Sequence, residues 1–482
     1  MHASRITGMA RLAHATALSA PPAAVVRSSV ALVLAAATIA LIFVVAFVVP
    51  QPLWSAQPGG PPGADPAPIS GLGWPGALLA VAFSLAWSLP FRPYVLALGV
   101  LERSRAHMRL VVLLTGVLAV VTLLIYPAFG SDVFMYIAYA RQWWAYGENP
   151  LLAMPALHPA DWSYAFAWAR TQPSPYGPLW ALITWPIAML GGDSARALVL
   201  AYKALALGAY GACCWLLWSS APASRRAYAL MYFAWSPLVL FETLGKVHND
   251  ILLALAALAA VRFDGVRGMV ALALGGLIKL SGLAVLPALA AHLIRARRRR
   301  ALIVGLAVAA LTVIGFYAPF WRGPATLAPV FIQTNRVVWS PGSLLIASGV
   351  DPSVTRIALA VAWASACTAI TMKVREIAAS AALTLLATLL LLTTAFFAHY
   401  LVPVITLAAL SHSRLLRSSV IALSLGALIA YATELLAPAL PPGWFGSPSY
   451  QAVGSLVTLA PAALVLAVAR RDAPTVAAAG SG

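Results

Sequence analysis

The chain has 482 residues, 62% of them hydrophobic and only 9% charged, with a mean hydropathy of +0.88 and a formal net charge of +18. This composition excludes a soluble domain and predicts an all-α polytopic membrane protein. The positive charge does not argue for nucleic acid, because Lys and Arg fall in short clusters between apolar runs, the positive-inside pattern. Cys213, Cys214 and Cys367 all lie inside apolar runs and supply neither a disulfide framework nor a metal site.

Residues 1–28, basic through Arg5, Arg11 and Arg27, read as a cytoplasmic tail; 29–471 read as a single transmembrane domain and 472–482 as a second tail. A span over 29–49 leads to a Pro/Gly-rich outer loop at 50–73, and a span over 74–98 returns to Arg103, Arg105 and Arg109 inside. The run 110–128 then delivers Asp132 to the outer face. Behind Asp132 the sequence predicts a helix lying along the bilayer surface. Phe134, Tyr136, Tyr139, Trp143 and Trp144 put rings on much of its circumference, and Tyr and Trp favour the membrane interface. Residues 130–178 form a first large outer loop that closes on Pro173-Ser174-Pro175-Tyr176-Gly177-Pro178, a rigid, non-helical lead-in to the next element.

The run 179–190 is too short to cross a hydrocarbon core of about 30 Å at about 1.5 Å per residue, and charge parity makes it re-entrant or interfacial. Residues 195–218 then end inside at Arg225 and Arg226. The span 228–243 emerges at the outer turn Gly245-Lys246-Val247-His248-Asn249-Asp250. Short apolar runs at 251–261, 269–278 and 283–294 meet at Arg262, Arg267 and Lys279. Broken helices are tolerated at membrane depth only where they line a cavity or are buried in protein, so these predict the wall of a cleft open to the outside. The strongest inner cluster, 295–300, precedes a span at 301–320 and a second outer loop at 321–343 carrying Arg322, Gln333, Asn335, Arg336 and Trp339. Spans at 355–371 and 378–397, a short return after His399 and Tyr400 to Arg414 and Arg417, and spans at 418–436 and 451–469 bring the total to about fourteen crossings.

On this parity Asp132, His248, Asn249, Asp250, Lys279, Arg322, Arg336 and His399 share the outer face. A carboxylate there suits the removal of a proton from a hydroxyl that attacks an anomeric carbon, and Asp132 is the first candidate. A phosphate leaving group calls for cations opposite: Lys279 and Arg336, with Arg322 and Lys246 behind them. Tyr136, Tyr176, Trp143, Trp144 and Trp339 suit sugar faces or a prenyl chain, and Asn149, Asn249 and Gln333 suit sugar hydroxyls. Competing readings make Asp132 and Asp250 helix caps and Trp143 with Trp144 an interface anchor. Lys279 resists such a reading, since charge at membrane depth is costly and usually functional. His248 and His399 lie in no ligand-spacing motif, so no metal and no cofactor are expected.

Ser131-Asp132-Val133-Phe134-Met135-Tyr136, Gly147-Glu148-Asn149-Pro150, Ser174-Pro175-Tyr176-Gly177-Pro178-Leu179-Trp180 and Gly245-Lys246-Val247-His248-Asn249-Asp250, in that order, resemble the polyprenol-phosphate-mannose-dependent alpha-(1→6) mannosyltransferases of the GT-C class. The resemblance implies a GT-C glycosyltransferase-like fold in the cell membrane, an active site outside the cytoplasm, a polyprenyl-phosphate sugar donor, a lipid-linked glycan acceptor and inversion. Carried over by position, Asp132 is the general base, His248, Asn249 and Asp250 form a second-loop element, Lys279 matches a following lysine, and Phe396 to Tyr400, with His399, resembles a late aromatic motif. Relatives with monophosphate donors generally need no metal. Lys246 stands where a small residue is usual, and Phe134-Met135 where Tyr-Ser is usual; both departures bear on sugar and acceptor. The alternative function is a transporter or flippase of lipid-linked sugars, for which ionisable groups along both access paths and repeats are expected.

Overall fold

The computed structural model describes residues 22–49, 53, 78, 82, 84, 86–103, 107–127, 132–328, 331, 336–436, 444 and 446–471. Most of the N-terminal tail, nearly all of the 50–73 loop, much of the 74–98 span, Arg105, Gln333, Asn335 and the tail 472–482 lie outside them. Among the described residues the regular structure is helical, joined by turns and loops, with an isolated bridge between Val338 and Ala395.

The apolar runs described here are largely helical, but the run 228–243 breaks at Trp235 and Ser236, and the helical part of the run 378–397 ends at Leu392. In order the helices are α1 (Pro22–Phe43, continued by a π turn, Val44–Val48), α2 (Phe91–Arg103), α3 (Met108–Leu123), α4 (Asp132–Trp144), α5 (Pro178–Gly191) and α6 (Ala195–Ser220). Next come α7 (Arg226–Ala234), α8 (Asp250–Phe263), α9 (Gly265–Ile278), α10 (Leu286–Arg295) and α11 (Arg299–Tyr317). The chain ends with α12 (Pro341–Ala347), α13 (Pro352–Lys373), α14 (Ile377–Ala387), α15 (Val402–Leu410), α16 (Arg414–Leu436) and α17 (Pro448–Arg471). Six helices among the described residues are long and apolar enough to cross a bilayer, or seven if the pair Ala223–Ala234 and Pro237–Gly245, bent by 48°, is one span. The protein is therefore a polytopic membrane protein. Shorter apolar helices such as α3, α5 and α9 fill the space between the long ones.

The breaks have local causes. Pro237 lacks the N–H that α7 needs to continue, and the chain restarts as a π turn, Leu240–Gly245, of the kind that often marks a functional position. After it Val247 adopts φ 65, a left-handed conformation that a β-branched residue reaches only under strain. Lys203, buried in α6, donates to the carbonyls of Leu244 (2.7 Å) and Gly245 (3.0 Å), so the orphan acceptors at the end of the π turn are satisfied by an amine from a neighbouring helix. The strained turn is thus held from outside.

The helix after Asp132 forms as expected, but it is enclosed rather than laid on a surface. Every residue from Val133 to Gln142 is buried. Residues 145–177 fold back over one side, where Phe134 meets Phe166 (ring centroids 5.9 Å) and the Ala169 N–H donates to Met135 Sδ. On the other side Tyr136 packs against Trp180 of α5 (4.8 Å) and Tyr202 of α6 (5.9 Å). A helix apolar on all sides belongs inside a protein, and here both flanks are occupied.

Gly177 fixes the Ser-Pro-Tyr-Gly-Pro segment to the end of α9. Its N–H donates to the Ile278 carbonyl at 3.0 Å, and a Cβ built on it meets the Leu277 oxygen at 2.2 Å. Gly177→Ala must therefore push the segment off α9, the helix that presents Lys279. The expected cost is about 1–3 kcal/mol of overpacking, read as a lower midpoint of thermal unfolding in detergent; an unchanged midpoint contradicts the close approach.

Candidate functional site

Four breaks in the helical bundle supply the site. Asp132 is the first residue of α4, and its Oδ2 accepts from the Tyr176 hydroxyl at 2.8 Å. The turn 246–249 brings up His248, whose Nδ1 lies 3.8 Å from the same Asp132 oxygen. The Tyr136 hydroxyl, one turn along α4, accepts from the Asn249 backbone N–H at 3.2 Å and ties α4 to that turn. Asp250 opens α8, and Lys279, at the end of α9, donates to both of its carboxylate oxygens at 3.0 and 3.1 Å. His399, in the short 3-10 segment Ala398–Leu401, stacks on His248 with ring centroids 3.9 Å apart and planes 7° from parallel. Phe397 lies 5.6 Å from His399, near parallel to it, and the Lys279 ammonium sits 4.1 Å from the Tyr400 ring centroid.

Behind these lies Glu242, on the π turn and fully buried. Its Oε2 is 3.2 Å from His248 Nε2, 3.9 Å from His399 Nδ1 and 3.9 Å from Lys246 Nζ. The Lys246 ammonium in turn faces the Tyr431 ring at 4.4 Å. Sequence reasoning passed over Glu242 because it sits in an apolar run read as a span. The signal was there: an acid inside such a run is expensive and seldom idle. Burial, with Lys246 and Lys279 nearby, pushes the pKa of His248 well below its usual value, so the ring is neutral.

The structure thus gathers Asp132, Tyr136, Tyr176, Lys246, His248, Asn249, Asp250, Lys279 and His399. Arg336 borders the group: its guanidinium covers the Trp168 ring at 4.3 Å and bears electrostatically on Tyr139 and Tyr400. Other expected site residues lie apart. Asn149 donates to the Phe320 carbonyl (2.7 Å) and accepts from Leu151 N–H (3.0 Å), pinning the first outer segment to the second. Arg322 is exposed, its side chain turned onto its neighbour's carbonyl. Trp339 is buried against Tyr431 and Tyr450, one side chain removed from Lys246. Trp143 packs on Trp185 and Phe320.

Above the site, Arg141 braces the folded-back segment with hydrogen bonds to both oxygens of Asp161, to the Gly192 carbonyl and an ion pair to Asp193. Burial alone disfavours the charge on Asp161, but hydrogen bonds from Arg141, Ser163 and Tyr146 outweigh it and hold the carboxyl at about 2.

Several buried polar atoms in the cluster have no hydrogen-bond partner: both ring nitrogens of His248, Nδ1 of His399 and both amide atoms of Asn249. Leaving such groups unsatisfied costs roughly 1–3 kcal/mol each, which an occupant of the site can recover. One ligand atom each from Asp132, His248 and His399 lies within 4.8 Å of the other two, an arrangement that can hold a metal ion. Beside Asp250 and Tyr400 lies a small crevice bordered by Leu253, Val285 and Leu389.

What the fold and this cluster define is a polytopic membrane protein with a buried ionic site assembled at the broken ends of its helices. The resemblance carried by the motifs is borne out over residues 72–295, which match the family described as Alpha-(1->6)-mannopyranosyltransferase, N-terminal domain. It is also similar to Alpha-(1->6)-mannopyranosyltransferase B of Corynebacterium glutamicum, with 31% identity over 149 residues, a stretch covering 30% of this chain and 24% of that relative. No solved structure matches.

Proposed function

We propose that the protein is an inverting membrane hexosyltransferase of the GT-C type. It takes mannose from a polyprenyl-phosphate donor and transfers it to a lipid-linked glycan outside the cytoplasm, in a bundle of about fourteen crossings. The observation that carries this reading is the meeting of Asp132, Lys279 and Lys246, all inside the segment matched to the mannosyltransferase family, in one buried, partly unsatisfied cluster that Arg336 borders. The Tyr176 hydroxyl occupies one oxygen of Asp132, so the other is the atom that takes the acceptor's proton. The acceptor oxygen bonds to C1 of the sugar as the bond from C1 to the phosphate oxygen breaks on the opposite face. The electron pair leaves with the polyprenyl phosphate, whose added charge Lys279, Lys246 and Arg336 stabilise. The free amide of Asn249 meets a sugar hydroxyl.

The test is transfer by the purified full chain in proteoliposomes, given radiolabelled polyprenyl-phosphate mannose and a panel of lipid-linked mannosyl acceptors. Labelled product with the inverted anomeric configuration is expected. Movement of intact donor between leaflets without a new glycosidic bond would overturn the enzyme in favour of a flippase.

A further inference from the structure

The geometry points to a divalent-cation site formed by the Asp132 carboxylate, His248 and His399, with Glu242 as the outer carboxylate that orients His248. This departs from the metal-free expectation raised by the resemblance, and it stands on the arrangement of side chains. Glu242 Oε2 lies 3.2 Å from Nε2 of His248, within hydrogen-bond distance though not in hydrogen-bond alignment. A proton placed on Nε2, toward Glu242, leaves a lone pair on Nδ1, the atom that faces Asp132 Oδ2 across 3.8 Å. Two electron-rich atoms that close, in a site this buried, repel unless a cation lies between them. The carboxylate–imidazole–metal relay removes the conflict while keeping Glu242 on the Nε2 side of the ring, and it fixes the tautomer.

His399 supplies the third ligand. It is 7% exposed, its Nδ1 has no partner, and a ligand atom on it falls within 4.8 Å of those on Asp132 and His248. Closing that spread onto bonds of about 2.0–2.1 Å requires the stacked rings to part slightly. Two imidazoles and one carboxylate suit zinc, and cobalt(II) as its stand-in, better than magnesium or calcium, which prefer oxygen shells. Three protein ligands leave a position open. Under the transferase reading, on which this use of the ion rests, a donor phosphate oxygen fills it, while ligation through Oδ2 of Asp132 leaves the other oxygen free for the proton.

The experiment uses the untagged full chain in detergent, stripped with a chelator and titrated with ZnCl2 alone by calorimetry and with CoCl2 by visible absorption. The expected result is one zinc per chain, and a cobalt d–d band characteristic of nitrogen and oxygen ligands. Glu242→Gln should weaken zinc binding by about 10–100-fold, as loss of an outer-shell partner does. His399→Gln should abolish the cobalt band in chain that remains monodisperse. Failure of the wild-type chain to bind zinc or cobalt stoichiometrically overturns the site whatever the variants do, and so does binding unchanged in His399→Gln. Transfer assayed in chelator separates the two ideas. Activity without ion binding sinks the ion and leaves the transferase; stoichiometric binding by a chain that transfers to no acceptor leaves the ion and sinks the transferase.

Discussion

Asp132→Asn is expected to lower mannosyl transfer by about 100- to 10,000-fold, the range that general-base catalysis contributes, while the chain still inserts and binds donor. The substitution is chosen to remove basicity with little change of shape. Asn is nearly isosteric, its carbonyl oxygen can still accept from Tyr176, and it serves at a helix N-terminus about as well as Asp, so a capping role predicts almost no loss. With chelator present, so that no ion contributes, donor binding should persist because Lys279, Lys246 and Arg336 are untouched. The measurement is initial rate in proteoliposomes alongside photo-crosslinking of a polyprenyl-phosphate probe. Transfer at the wild-type rate removes Asp132 from the mechanism; loss of both transfer and cross-linking reassigns it to assembly of the cluster.

Much of this site is legible in the chain because the same physics that positions a membrane helix also labels its ends. The helix Ala195–Ser220 coincides almost residue for residue with an apolar run bounded by Ser194, whose hydroxyl accepts from the Ala197 N–H, and by a following Pro. Asp132, His248, Asp250, Lys279 and His399 each follow or interrupt such a run. Partnership is what the runs do not encode. Asp132 and Tyr176 are 44 residues apart, and nothing local to either names the other. Glu242 was hidden by the opposite problem, since a hydrophobic window averages one acid away. For α4 the aromatic residues were legible, but a helix's own pattern does not tell whether lipid or residues 145–177 cover its second flank. Asn149, Arg322 and Trp339 show the remaining limit: a polar or aromatic residue in an outer loop has many ways to be used, and only the packing distinguishes a loop clamp from a ligand contact.

The second large effect concerns Lys279 and Asp250, whose side chains are 19% and 3% exposed. Each carries an ion out of water, and their mutual attraction must offset that penalty. Lys279→Met leaves the Asp250 carboxylate buried with no ammonium beside it, so it should destabilise the chain by about 3–5 kcal/mol as well as abolish transfer. That result alone cannot distinguish a structural pair from a catalytic lysine. Adding Asp250→Asn removes the stranded charge, and the double variant should recover most of the lost thermal stability in detergent, since a pair neutralised on both sides no longer has a desolvated ion to support. Transfer should stay absent, because the ammonium is still missing from the phosphate position. Stability and transfer recovering together would assign the lysine to holding α9 against α8, and the leaving phosphate would then have to rely on Arg336 and Lys246.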